Sequence, residues 1–116
     1  MNGLPHILAR RETEGRTELD LEVQADNPWF TGHFPETAIL PGVVQIGWAV
    51  HFGHVSFGLG PGIDLMEQVK FRRPILPGAR VTLMLKADVA AGKLRYEYKD
   101  AEHVYSSGSL RFGTAP

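Results

Sequence analysis

Five histidines and no cysteine set the limits on the chemistry this chain can carry. Without cysteine there is no thiol nucleophile, no disulfide, and no thiolate site for zinc or an iron–sulfur cluster. The groups that can move protons near neutral pH are His6, His33, His51, His54 and His103. His33 stands apart because Gly32-His33-Phe34-Pro35 is a constrained loop running into a long apolar stretch that starts at Gly42. If that stretch is a helix, its first N–H groups, near Gly42 and Val43, face the loop. A glycine there permits close approach of an anionic or polarised oxygen. A histidine base beside such donors can take the proton alpha to a thioester while the donors hold the developing enolate. The other histidines read first as structural or solvent-exposed. No two of the five share a ligand spacing with a carboxylate, and His51/His54 alone is a weak pair, so no metal is expected.

The elements that must position these groups follow from hydropathy. Residues 6–12 and 17–24 read as strands, with Leu19, Leu21 and Val23 alternating with polar residues at period two. Residues 27–42 are aperiodic and too apolar to be left in water, so an ordered loop is expected. From Gly42 to about Phe57 the chain is apolar almost all round, which points to a helix in the centre of a core. Pro41 suits its start and Gly58-Leu59-Gly60-Pro61-Gly62 its end. Four strand-like runs follow at 63–72, 79–90, 93–99 and 103–112, separated by Pro77-Gly78, Ala91-Gly92 and Asp100-Ala101, which read as hairpin turns. One helix and about six antiparallel strands give an α+β domain whose sheet wraps the helix. Its edge strand needs a partner, so dimerisation is expected.

Composition agrees with a single globular domain. The 116 residues are 43% hydrophobic and 22% charged, which excludes a disordered chain. The net charge of −1 gives no footprint for nonspecific nucleic-acid binding. Met1–Arg10 shows no apolar signal core, and Ala38–Val50 is too short to span a bilayer, so a cytoplasmic location without a membrane span is expected.

Two motifs extend this reading. Gly32-His33-Phe34-Pro35, followed by Ile39-Leu40-Pro41-Gly42-Val43-Val44, resembles the signature of the hotdog-fold 3-hydroxyacyl-[acyl-carrier-protein] dehydratases. Val69-Lys70-Phe71-Arg72-Arg73-Pro74-Ile75-Leu76-Pro77-Gly78 is similar to that family's second hallmark. The small dehydratases of aryl-polyene pigment pathways are the nearest likeness, through Leu40–Ala49 at the helix start and Ser106-Ser107-Gly108 near the end; the resemblance covers residues 20–112. It implies a hotdog fold and conversion of a 3-hydroxyacyl thioester to the trans-2-enoyl thioester plus water. His33 then matches the catalytic histidine, and Gly42 the residue whose N–H polarises the thioester carbonyl. Phe34, Pro41, Val43 and Gln45 fall at substrate-binding positions. Lys70, Arg72 and Arg73 form a basic cluster suited to an acidic acyl-carrier protein or its phosphopantetheine arm, or else an ordinary solvated face. Alternation sets Lys70 and Arg72 on the side opposite Phe71 and Arg73. No cofactor is implied beyond the carrier's phosphopantetheine.

One position departs from that pattern. The family places an Asp or Glu on the helix fourteen residues after the histidine, where this chain has Gly47. Glycine inside a helix costs ~1 kcal/mol relative to alanine, so close packing or a special role has to account for it. Gly47, Val50, His51 and His54 share one helix face. His51 can substitute as the acid, directly or through a water, and it equally reads as a hydrogen-bonded core histidine. Glu36, Asp64 and Glu67 are the other carboxylates that folding could bring near. Gln45 faces either the thioester or a strand; Phe52, Val55, Phe57 and Met66 line an acyl tunnel or fill the core. Three functions stay open: a homodimeric dehydratase, a half-catalytic subunit paired with a related hotdog chain that supplies the acid, and a thioesterase. The last is least favoured, because it too calls for a carboxylate.

Overall fold

The computed structural model describes residues 3–30, 38–60 and 62–113. Six strands, β1 (His6–Thr13), β2 (Arg16–Glu22), β3 (Ile63–Phe71), β4 (Arg80–Asp88), β5 (Lys93–Lys99) and β6 (Val104–Phe112), form one antiparallel sheet in the order β1-β2-β4-β5-β6-β3. Among the described residues one α-helix, α1 (Gly42–Phe57), packs on one face, and a short 3-10 turn occupies Pro28–Phe30. The helix ends where Gly58 takes a left-handed φ of 66° and its N–H caps the His54 carbonyl at 2.8 Å.

Period-two alternation decides which side chains meet the helix. Leu19 and Leu21 of β2, Leu83 and Leu85 of β4, Leu94, Tyr96 and Tyr98 of β5, and Leu110 of β6 point inward and are fully buried, or within 1% of it. Trp48, Ala49 and Phe52 fill the space between them from the helix side. Each large apolar side chain buried in this way contributes about 1.5–3 kcal/mol relative to exposure. Gly53 lets the helix approach β5 closely, since a Cβ there would lie 2.6 Å from the Leu94 side chain.

Two expectations need correction. Pro77-Gly78 does make a turn, but β3 and β4 are not a hairpin: β3 pairs only with β6 at one edge, while β4 lies between β2 and β5. The turn instead carries the chain across the sheet, with the Gly78 N–H on the Val23 carbonyl at 2.7 Å. The helix is also not buried all round. Val43 is 78% exposed and Val55 54%, because one sheet covers only one side of the helix. At the edge, β3 is exposed along almost its whole length, including Leu65, Met66 and Phe71.

Candidate active site

The start of α1 is held by hydrogen bonds to the sheet. The Leu40 N–H donates to the Ile75 carbonyl at 2.8 Å, which ties the segment before the helix to the stretch between β3 and β4. Gln45, 3% exposed, donates from Nε2 to the Leu40 carbonyl at 3.1 Å and accepts at Oε1 from the Ser106 hydroxyl at 2.5 Å. The Tyr98 hydroxyl donates to the Gln45 carbonyl at 2.6 Å. Burial, with Tyr96 alongside, pushes the Tyr98 phenol well above its ordinary range, so it stays a donor. The structure shows the strand bond of Gln45, to Ser106, and Gln45 also lines the pocket at the helix start.

Pro41 precedes the helix with no side-chain cap, and its carbonyl accepts from both Val44 and Gln45, at 3.0 and 3.1 Å. The N–H groups of Gly42 and Val43 have no acceptor among the described residues. They are the donors of the first turn, where the positive end of the helix dipole lies. Beside them is a pocket of about 510 Å³ lined by Ile39, Leu40, Gly42, Ile46, Phe71 and Arg72, among others. A Cβ at Gly42 would meet the tip of the Phe71 ring at 2.7 Å, so a side chain there requires that half-exposed ring to shift. Val43, at the same helix start, is open to solvent.

The remaining candidates divide. His33 and Phe34, like Glu36, lie outside the described residues. Gly47 sits in the second turn of α1, half-buried, and offers no side chain for proton transfer. His51, one turn on, is half-buried with its ring edge-on to Phe52 at 5.1 Å, and burial lowers its pKa. It has no hydrogen-bond partner among the described residues. The hydrogen-bonded histidine of this face is His54, whose Nδ1 lies 2.8 Å from the Leu59 carbonyl and fastens the helix end. Glu67 pairs with Ser109 on the face turned away from the helix, and Asp64 lies beside Gly113 at the far end of β3 from Phe71. Folding therefore brings neither to Gly42. Phe52 fills the core, whereas Val55 and Met66 are exposed in the single chain.

The basic cluster follows the expected alternation. Phe71 turns to the pocket, Lys70 lines a groove on the outer face, and Arg72 borders both. Arg73 lines the pocket, and its N–H shares the Tyr105 carbonyl with that of Arg72, at 3.1 and 2.8 Å. Sequence reasoning missed Tyr98 as an anchor and Phe71 as the pocket wall. The inward phase of β5 was the only signal for the former. No three His, Cys, Asp or Glu side chains among the described residues converge as metal ligands.

A helix laid on a six-stranded antiparallel sheet, with an apolar pocket at the helix N-terminus, is the hotdog arrangement. Residues 9–109 match the ApeI-like family, described as ApeI dehydratase, and the chain belongs to that family. Its structure is similar to that of the dehydratase heterocomplex ApeI:P from Xenorhabdus doucetiae, with a TM-score of 0.88 and 28% identity over 96% of this chain and 99% of that one. An uncharacterised protein from Erwinia carotovora subsp. atroseptica is also similar, with a TM-score of 0.83 and 34% identity over 95% and 96% of the two chains. The 3-hydroxyacyl-[acyl-carrier-protein] dehydratase FabZ of Sinorhizobium fredii is 34% identical over 87 residues, 69% of this chain and 56% of that protein. The chain thus spans about half the length of the curated relatives it matches. No helix among the described residues is long and apolar enough to cross a membrane.

Proposed function

We propose that the chain takes part in dehydration of a 3-hydroxyacyl thioester carried on acyl-carrier protein, with no cofactor beyond the carrier's phosphopantetheine arm. The observation that carries this reading is the pair of N–H groups at Gly42 and Val43, without an acceptor among the described residues, beside an apolar pocket in a chain of the ApeI-like family. The Gly42 N–H donates to the thioester carbonyl oxygen as negative charge gathers there. His33 takes the alpha proton, electrons close the alpha–beta double bond, and the beta C–O bond breaks. The hydroxyl departs as water once it receives a proton. Phe34, Pro41 and Val43 shape the entrance around the acyl chain. The acidic carrier approaches the basic residues Lys70, Arg72 and Arg73, and the reaction takes place in the cytoplasm.

Gly47 favours a second, narrower reading. The proton for the departing hydroxyl has no carboxylate source at that helix position, so a related hotdog chain supplies it and the working unit is a heterodimer with one complete site. The exposed Val43 and Val55 and the uncovered β3 edge are the surfaces such a chain would cover, and the structurally similar protein from Xenorhabdus doucetiae is a dehydratase heterocomplex. In a homodimer the proton would fall to His51, either directly or through a water. Burial favours its neutral form, which makes that route slow. Purification from the native host under gentle conditions separates the two. A second hotdog chain in stoichiometric amount supports the heterodimer, and a strict homodimer with full turnover contradicts it.

A further inference from the structure

The side of the sheet turned away from α1 carries charge in two different ways. Across β1, β2 and the start of β4, Arg11, Arg16 and Arg80 each reach a carboxylate, at 2.8, 2.8 and 3.6 Å for the closest contacts. Across β3, β5, β6 and the end of β4, the outward cations Lys70, Arg72, Lys86, Lys93, Arg95 and Arg111 make no ion pair among the described residues. They line two adjoining grooves that share Gln68 and Arg95, together with Glu67, Asp88, Glu97 and Glu102.

The register makes that arrangement costly. Lys86 stands directly opposite Arg95, and Lys93 stands between Arg111 of β6 and Asp88 of β4. Like charges facing each other across strands destabilise a sheet. The acids on this face relieve it only at Lys93, which Asp88 faces across β4 and β5 without an ion pair among the described residues. Asp88 accepts the Ala91 N–H in its own turn at 3.1 Å, Glu67 faces Ser109, and Glu97 faces Met84 and Ser107. The grooves converge on the one non-glycine residue with a positive φ among those described, Gln68 at 54°, where the β3–β6 register slips. Left-handed backbone at a side chain of this size is strained, and such strain gathers at functional surfaces.

Arg72 borders both the nearer groove and the pocket at Gly42. The cations therefore form one track leading from the pocket mouth over the outer face. Four adjacent strands, β3-β6-β5-β4, give it a width of roughly 15 Å, enough for one α-helix with its side chains at ~10–12 Å.

We infer that this track is the docking surface for an acidic helix of the acyl-carrier protein, with Arg95 and Arg111 as contacts beyond the Lys70, Arg72 and Arg73 cluster. It rests on the dehydratase reading above and supplies that reading's partner surface. Charges that repel one another in the free chain are relieved when an anionic helix lies across them, and the pantetheine arm then enters at Arg72.

The test measures binding of holo-acyl-carrier protein by titration calorimetry at low and moderate salt, together with thermal midpoints. It compares the wild-type protein in its native assembly with the R95S/R111S double variant and with R11S from the paired half. The inference expects R95S/R111S to bind at least ~10-fold more weakly with a shallower salt dependence, and its thermal midpoint to stay level or rise. R11S should bind as wild type does and melt lower. Wild-type affinity in R95S/R111S overturns the inference and leaves the dehydratase reading standing. Failure of the wild type to bind the carrier at all overturns both. Equal affinity for a duplex oligonucleotide overturns the choice of carrier, because the face would then be a general polyanion surface.

Discussion

The two halves of the outer sheet face have the same pleat, yet they hold their cations in different ways. On the β1–β2 side, Arg11 reaches Asp20 through two contacts of 2.8 Å, and the Thr82 hydroxyl donates to Asp20 at the same distance. That network satisfies itself and projects little field. On the β3–β6 side, Lys86 stands opposite Arg95 and Lys93 opposite Arg111, and none of the four makes an ion pair among the described residues, although Asp88 faces Lys93. The difference teaches that local pairing, not net charge, distinguishes the two regions of this face. The whole sequence is nearly neutral, and composition alone conceals the asymmetry.

The same division separates residues that hold the fold from residues that serve the pocket. The sharpest way to break it is at the helix start. Gly42→Ala puts a methyl group 2.7 Å from the Phe71 ring. The ring must move or the first turn must tilt, and misplacing a donor by about 1 Å costs on the order of 100-fold in rate. Steady-state kinetics should show that loss in kcat with little change in the thermal midpoint. A variant with unaltered kcat would remove Gly42 from the site.

Gln45→Leu probes the anchor behind that turn. It leaves the Ser106 hydroxyl and the Leu40 carbonyl buried without their partner, which costs about 1–3 kcal/mol for each group left unsatisfied. Urea unfolding should reveal a loss of that order. A loss well under 1 kcal/mol would mean that water or relaxation replaces the network.

The smallest effect belongs to pH. Arg11's hydrogen bonds, then that of Thr82, hold the Asp20 carboxyl down at about 2 from an ordinary 3.8. The folded state thus favours the ionised form. Its contribution to stability is complete above about pH 4 and is lost as pH falls toward 2, where the unfolded chain has already taken up its proton. A carboxyl-carbon NMR titration should place Asp20 near 2 in the wild type and higher in R11S. An unchanged midpoint in R11S would deny that the paired half is held by that contact.

Much of the architecture was legible because it rests on local pattern. The apolar run from Gly42 and the glycines from Gly58 bound the helix, and alternation found all six strands. Strand order was not legible. Pro77-Gly78 reports that the chain reverses, not which strand it meets next, and β3 crosses to the far edge instead of pairing with β4. Helix burial was misjudged for a related reason: hydropathy counts apolar surface without saying whether the same chain covers it, and this chain leaves Val43 and Val55 exposed. In the site, Gly42 was readable from Pro41-Gly42 at the head of an apolar run, and the split between Lys70 and Phe71 from simple alternation. The anchors were not, because Tyr98 and Ser106 lie 53 and 61 residues from Gln45 and meet it only through the sheet. The cross-strand facing of Lys86 with Arg95 is a matter of register, which no single strand's sequence records.

The most direct test of the central claim follows a 3-hydroxyacyl thioester on acyl-carrier protein by mass spectrometry, with the protein in its native assembly and His33→Ala beside it. The account predicts loss of one water to give the enoyl thioester, and a rate lower by ~100-fold or more in the variant. Release of free acid with no enoyl product, or dehydration that survives without His33, would contradict it.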